Sequence, residues 1–337
     1  INHVRIGGMP ARQRDEELPP KFGMVGDETV GAGGCANALR TLPVVLQHAE
    51  LIEQTNPGAT LINLTNPTGI IVDALSKYSR LQVLGVCDLP GQCIRRVADI
   101  LRVSPEELQV DYVGLNHIGW IQDVKLDGKS RMDRVLEQLE HHSEDGFDHD
   151  LVGLFRMIPT STVGLFFHVD AILKRQQACA RTRAEVLYEA EQQILKLYDD
   201  ETLTEIPELT RARNAIWYEK TIVPLLQALE ERHEREIILC VKNEGAVRDL
   251  PEDCSVEVPV RISKKGIEPR RVGDCPRFLK GLFHSVKESD RLTVEAARHK
   301  SYECALQALT INPLVPSLDA ARAFLDRILK EEGIELH

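Results

Sequence analysis

Three short β-rich runs, "ATLINLT" (59–65), "QVLGVC" (82–87) and "QVDYVGLN" (109–116), constrain this chain more than any other feature. Each is a mainly apolar run of the kind that fills a buried parallel sheet. The stretches before and between them carry helical periodicity: residues 36–55, with Leu42, Val45, Leu46, Ala49 and Ile52 as apolar positions, then 68–79 and 91–102. Pro43 should kink or restart the first helix, and Ser104 should cap the turn beyond the third. Strand, helix, strand, helix, strand is the order of a doubly wound α/β sheet. Ligands of such sheets sit beyond the carboxyl ends of the strands. That selects "TNPTG" (65–69), "CDLP" (87–90) and "NHIGW" (116–120).

The pattern changes near residue 125. Beyond it, helices are expected over 171–198, 217–231, 276–309 and 318–331, with strands at "EIILCVKN" (236–243) and "SVEVPVRIS" (255–263). The chain therefore divides into a first α/β domain, 1–125, and a mostly helical second domain, 126–337, with a small antiparallel sheet. A net charge of −11 without a long Lys/Arg run argues against nucleic acid or an anionic membrane and leaves small ligands as partners. No apolar segment reaches the roughly 18 residues of a bilayer span, and "INHVRIGGMP" lacks the architecture of a signal peptide. The expected compartment is the cytoplasm. Eight cysteines without disulfide-rich spacing suit the same reducing setting.

Taken residue by residue, the strand ends allow two readings each. Cys87 is a core thiol and Asp88 a helix N-cap ahead of Pro90, or the two do chemistry at the lip of the sheet. His117 is a satisfied core histidine or a ligand, and Asn66 is an Asn-Pro turn residue or a polar contact. Trp217 and Tyr218 form a helical aromatic pair of the kind that fills cores. "HHSEDGFDHD" (141–150) reads as a solvated acidic loop, since it shows no fixed ligand spacing.

Seven motifs occur together and in order: "RIGGMPARQRDEELPPKFGMVGDETVGAGG", "NLTNPTG", "CDLP", "GLNHIGW", "LDGK", "NEGAV" with "DLP", and "HSVKESDRLTVEAA". On these the chain resembles glycoside hydrolase family 4, the NAD- and divalent-metal-dependent phospho-glycosidases, over nearly its whole length. The resemblance implies a Rossmann-like first domain and hydrolysis of 6-phospho-glucosides, with the β anomer slightly favoured and the α anomer as the alternative. It also implies a route outside the paired-carboxylate mechanism: nicotinamide removes hydride from sugar C3, a base takes the acidified C2 proton, a metal holds the enediolate, and the aglycone leaves by elimination. Cys87 and His117 match the family's metal ligands, and a thiolate with an imidazole suits a cation such as Mn²⁺. Asp88 matches the general acid and Tyr218 the base, a phenol of pKa about 10 that needs a nearby cation to act. Arg5 and Lys242 are the implied ligands of the sugar phosphate, and Glu28, Asn66 and Asn116 those of the sugar hydroxyls. A homodimer or homotetramer is the implied assembly.

The chain also departs from the family pattern. The glycines that flank the family's tyrosine are absent from "RARNAIWYEK", Lys242 stands in place of an arginine, and His168 in "TSTVGLFFHVDAIL" replaces hydroxyl-bearing side chains. No strand, glycine turn and helix for a dinucleotide pyrophosphate is seen, and no β run precedes "GAGG" (31–34). The sequence opens inside a family motif, so roughly 80 to 90 further residues of a dinucleotide half are expected. Without them the chain is expected to be inactive and to self-associate through an uncovered sheet edge. Two readings of other classes stand beside this one. They are a lactate/malate-type dehydrogenase with a His–Asp pair and no metal, and a non-catalytic assembly or sensing protein.

Overall fold

The computed structural model describes residues 1–141, 146–213, 218–231 and 234–337. Trp217 and part of "HHSEDGFDHD" lie outside the described residues. Among the described residues nine strands form one mixed sheet: β1 (Thr60–Asn63), β2 (Gln82–Gly85), β3 (Leu108–Leu115), β4 (Ile118–Leu126), β5 (Lys129–Ser130), β6 (Ile158–Pro159), β7 (Arg235–Lys242), β8 (Ser255–Ser263) and β9 (Gly266–Pro269). Their order is β1-β2-β7-β8-β3-β4-β5, with β6 on β4 and β9 on β8. Among these described strands only β1 and β2 run parallel, and every later strand pairing is antiparallel.

The mixed α/β architecture is the expected one, and two details differ. The run at 109–116 is not a third parallel strand beside β2, because it folds back on β4 as a hairpin and meets β8 at Gly114↔Glu257. The strands expected as a separate small sheet instead fill the gap between β2 and β3. Val256, Val258 and Val260 on β8 and Leu239 and Cys240 on β7 are all fully buried, and strands so apolar belong in the middle of a sheet.

In the first half, α1 (Gly8–Glu17), α2 (Gly31–Thr55), α3 (Thr68–Tyr78) and α4 (Leu89–Leu101) surround the parallel pair. Helix α2 runs unbroken through Pro43, which sits exposed while Gly31–Leu42 are wholly buried. The packing of that buried half outweighs the hydrogen bond that proline removes. Then come α5 (Met132–His141), α6 (His149–Phe155), α7 (Gly164–Phe167), α8 (Val169–Ala178), α9 (Arg183–Tyr198), a π-turn at Tyr218–Ile222, α10 (Val223–Glu231), α11 (Arg277–His299), α12 (Tyr302–Ile311) and α13 (Leu318–Glu332). The helix expected over 171–198 is two, since Thr182 and Glu185 form a capping box that starts α9. The one expected over 276–309 is also two. Lys300 takes a left-handed conformation, φ 53°, and Ser301 caps α12.

One buried ionic group ties these layers together. The Lys287 ammonium on α11, 1% exposed, donates to Asp73 Oδ2 on α3 at 2.8 Å, to Ser255 Oγ on β8 at 2.9 Å and to Asp290 Oδ2 at 3.3 Å. Removing one partner of a buried pair leaves the other charge uncompensated. Lys287→Met should therefore cost about 3–5 kcal/mol of stability, read from the urea midpoint. A midpoint within error of wild type would show that this lysine is not what fastens α3 and α11 to the sheet.

Candidate active site

The site is built where β1 and β2 end. Gly85 closes β2, and a Cβ there would lie 2.6 Å from Thr68 Cγ2 and 2.7 Å from Val72 Cγ2. Only glycine lets the first turn of α3 rest on the strand. On the other side of β1 the chain start runs alongside it: Asn2 N donates to Ile62 O at 2.8 Å, Leu64 N to Asn2 O at 2.9 Å, and Val4 N to Thr65 Oγ1 at 2.8 Å. His3 and Arg5 reach the same end of the sheet in this way.

Asn116 and His117 form the two-residue turn between Leu115 and Ile118, which pair across the β3–β4 hairpin. His117 has φ 67°, a left-handed conformation uncommon for a side chain of its size. Thr162 Oγ1 donates to its carbonyl at 2.6 Å and holds it there. Its Nδ1 is buried and has no hydrogen-bond partner among the described residues. Burial pulls the imidazole down to about 4, with Glu28 opposing and Arg12 adding to the fall, so the ring is neutral at physiological pH. A neutral ring with an unengaged nitrogen is the form that binds a cation.

Cys87 is half-buried just beyond β2. Burial, and then Glu257, push its thiol up, against hydrogen bonds from Leu89 N–H and the Asn116 side chain. The Asn116 amide also donates to Glu257 Oε1 at 3.1 Å, and Tyr112 OH donates to Glu257 Oε2 at 2.5 Å. Burial lifts the Glu257 carboxyl to about 7, with those two hydrogen bonds opposing.

Glu28 joins the cluster from the loop before α2. Its carboxylate takes Arg5 Nη1 on one oxygen and Arg12 Nη1 at 3.1 Å on the other. Burial works against the anion, but Arg12 and Arg5 outweigh it and hold Glu28 below the usual carboxylate range. Asn37 Nδ2 links this loop to Asn66 by donating to Glu28 O at 3.0 Å and Asn66 O at 3.1 Å. The glycines of "GAGG" serve the same loop. A Cβ on Gly33 would meet Asp27 O at 2.2 Å and one on Gly34 would meet Thr29 O at 2.3 Å, so their close approach is to the protein's own backbone.

The remaining expected residues divide. Asp88 starts α4 without capping it, and its oxygens are engaged by Arg95 at 3.0 Å and by Gln92. Tyr218 opens the π-turn, and its hydroxyl lies 3.1 Å from His3 Nε2. Lys242 is carried away from Cys87, because β7 runs antiparallel to β2 from Gly85↔Cys240 and the two residues lie on opposite sides of that pairing. Elsewhere Asp148, Asp150 and His168 stand close together. Asp148 already caps α6 and pairs with His168 Nε2 at 2.9 Å.

Sequence reasoning does not single out His3, Arg12, Asn37 or Glu257. Glu257 carries a signal: a carboxylate between valines in "SVEVPV" must find buried partners. Nothing local to His3 or Asn37 announces the contacts they make.

Fold and cluster together define an α/β enzyme whose polar centre lies beyond the carboxyl ends of its parallel strands. The chain belongs to family 4 of the glycosyl hydrolases: residues 1–103 match the model of that family and residues 112–315 that of its C-terminal domain. It is 34% identical to a Bacillus subtilis protein named "Probable 6-phospho-beta-glucosidase", over 97% of this chain and 77% of that one. The 6-phospho-beta glucosidase of Thermotoga maritima, solved with manganese, NAD+ and glucose-6-phosphate, superposes with a TM-score of 0.91 at 29% identity, covering 99% of this chain and 81% of that one. A 6-phospho-alpha-glucosidase from gut microorganisms, solved with NAD and glucose-6-phosphate, gives 0.89 at 29% identity over the same shares. Family membership decides the class left open above: the chain is a glycosidase and not a dehydrogenase.

Proposed function

We propose that this protein cleaves 6-phospho-glucosides by oxidation at C3 and elimination across C1 and C2, with the β anomer as its preferred substrate and the α anomer as the alternative. The observation that carries the reading is a buried, unengaged Nδ1 on His117, in the turn after β3, with the Asn116 side chain next to it in sequence acting on the Cys87 thiol just beyond the parallel strand pair. When bound, NAD supplies the hydride acceptor, and a divalent cation such as Mn²⁺ supplies the charge that favours loss of a proton from C2.

Cys87 and His117 hold the cation, a sulfur and nitrogen pair suited to Mn²⁺, Co²⁺ or Ni²⁺. Asn66, at the edge where such sheets take a dinucleotide, and Asn116 hold the sugar hydroxyls together with Glu28. Arg5 is the phosphate ligand, since a guanidinium matches phosphate bidentately. Lys242, on the far side of the β2–β7 pairing from Cys87, is the second candidate for the phosphate, as a point charge. Asp88 protonates the departing aglycone oxygen once released from Arg95. Tyr218 takes the C2 proton, with His3 as the neighbour of its hydroxyl.

A chain with eight free thiols belongs to a reducing cytoplasm, and among the described residues no helix is long and apolar enough to cross a membrane. Exposed Val186, Tyr188, Leu195 and Tyr198 on α9, with Ile206 beyond it, support a homodimer or homotetramer.

Turnover in D₂O tests the chemistry. With NAD and Mn²⁺, a complete enzyme should release glucose-6-phosphate carrying deuterium at C2 from p-nitrophenyl 6-phospho-β-glucoside, and more slowly from the α isomer. Product bearing only protium at C2 would exclude elimination, and faster release from the α isomer would reverse the anomer assignment.

A further inference from the structure

Glu257 is a buried carboxylate in the middle of the sheet, 1% exposed, between Val256 and Val258, which are both fully buried. Both of its donors are neutral: Tyr112 OH at 2.5 Å and Asn116 Nδ2 at 3.1 Å. Among the described residues no cationic side chain compensates it. A carboxylate in that position is costly unless a positive charge comes to it. A valine or leucine in its place would strand the Tyr112 hydroxyl and the Asn116 amide, yet these neutral donors leave the carboxylate's own charge uncompensated.

The Asn116 amide that donates to Glu257 belongs to the residue directly before His117, and the same side chain opposes the rise of the Cys87 thiol. We propose that Glu257 is a positioning residue for the cation held by Cys87 and His117, fixing Asn116 against the sulfur and completing the charge of the site. The proposal rests on the metal-site reading above.

Thiolate and carboxylate would together carry two negative charges against the dication, with His117 neutral, and the protons held by the Cys87 thiol and by the Glu257 carboxyl would leave to solvent. Partners of this kind behind a ligand set typically govern metal affinity by 10- to 100-fold.

The test measures Mn²⁺ affinity without turnover, from the electron paramagnetic resonance signal of free Mn²⁺ titrated with the full chain. Glu257→Gln should weaken binding about 10- to 100-fold, while Glu257→Asp, which keeps the charge, should remain closer to wild type. Wild-type affinity in Glu257→Gln, or equal weakening in both variants, overturns the proposal. Should Glu257→Gln fail to fold by circular dichroism, Asn116→Ala takes its place with the same expected direction, and undiminished affinity there overturns the proposal too. Cys87→Ser separates the two levels. If it binds Mn²⁺ as wild type does, the metal-site reading falls and this inference with it; if it alone loses Mn²⁺, the site stands and Glu257 has no part in it.

Discussion

Replacing Cys87 with serine should lower Mn²⁺-dependent cleavage by about 1,000-fold while leaving the fold intact. A hydroxyl is a far poorer ligand than a thiolate for a cation of intermediate softness, and charge stabilisation by a bound metal contributes several kcal/mol to a transition state. The fold survives because Cys87 lies beyond the last paired residue of β2, and the packing at that strand end is made by Gly85 against Thr68 and Val72. The measurement is the rate against Mn²⁺ concentration, with circular dichroism as the control for folding. Metal dependence identical to wild type would remove Cys87 from the ligand set.

Tyr218→Phe should lower kcat by about 10²- to 10⁴-fold, the usual contribution of a positioned base. Phenylalanine keeps the ring and its edge contact with His3, centroids 5.9 Å apart, so loss of the hydroxyl is the main change. Two readouts separate a base from a packing residue. The variant should also lose exchange of the C2 proton with D₂O, and its thermal midpoint should match wild type. Retained C2 exchange at a reduced rate would show that another group removes the proton.

Much of the site is legible in the amino-acid sequence. Cys87 and Asp88 are expected after a buried strand, and they follow β2; Asn116 and His117 are expected at a strand end, and they form the turn after β3. Local pattern is sufficient there, because a short apolar run closed by polar residues says where a strand stops. The break at Thr182 has a sequence mark too, since a threonine with glutamate three residues on is a capping box, but the helical periodicity on either side hides it. The break after His299 rests on the left-handed Lys300 and the Ser301 cap of α12, and a lone serine without the partner of a capping box is a weaker mark.

Period and composition are enough to place most of the elements and their α/β order, while the residues assigned to a sugar phosphate and a cation come from the resemblance to family 4. Which elements adjoin is a matter of tertiary packing. Packing put β7 and β8 between β2 and β3, turned Lys242 away from Cys87, and set Glu257 behind Asn116. Strand order depends on contacts between residues more than a hundred positions apart, as with Asn116 and Glu257. Such contacts follow from how whole faces pack and are not encoded in any local window of the chain.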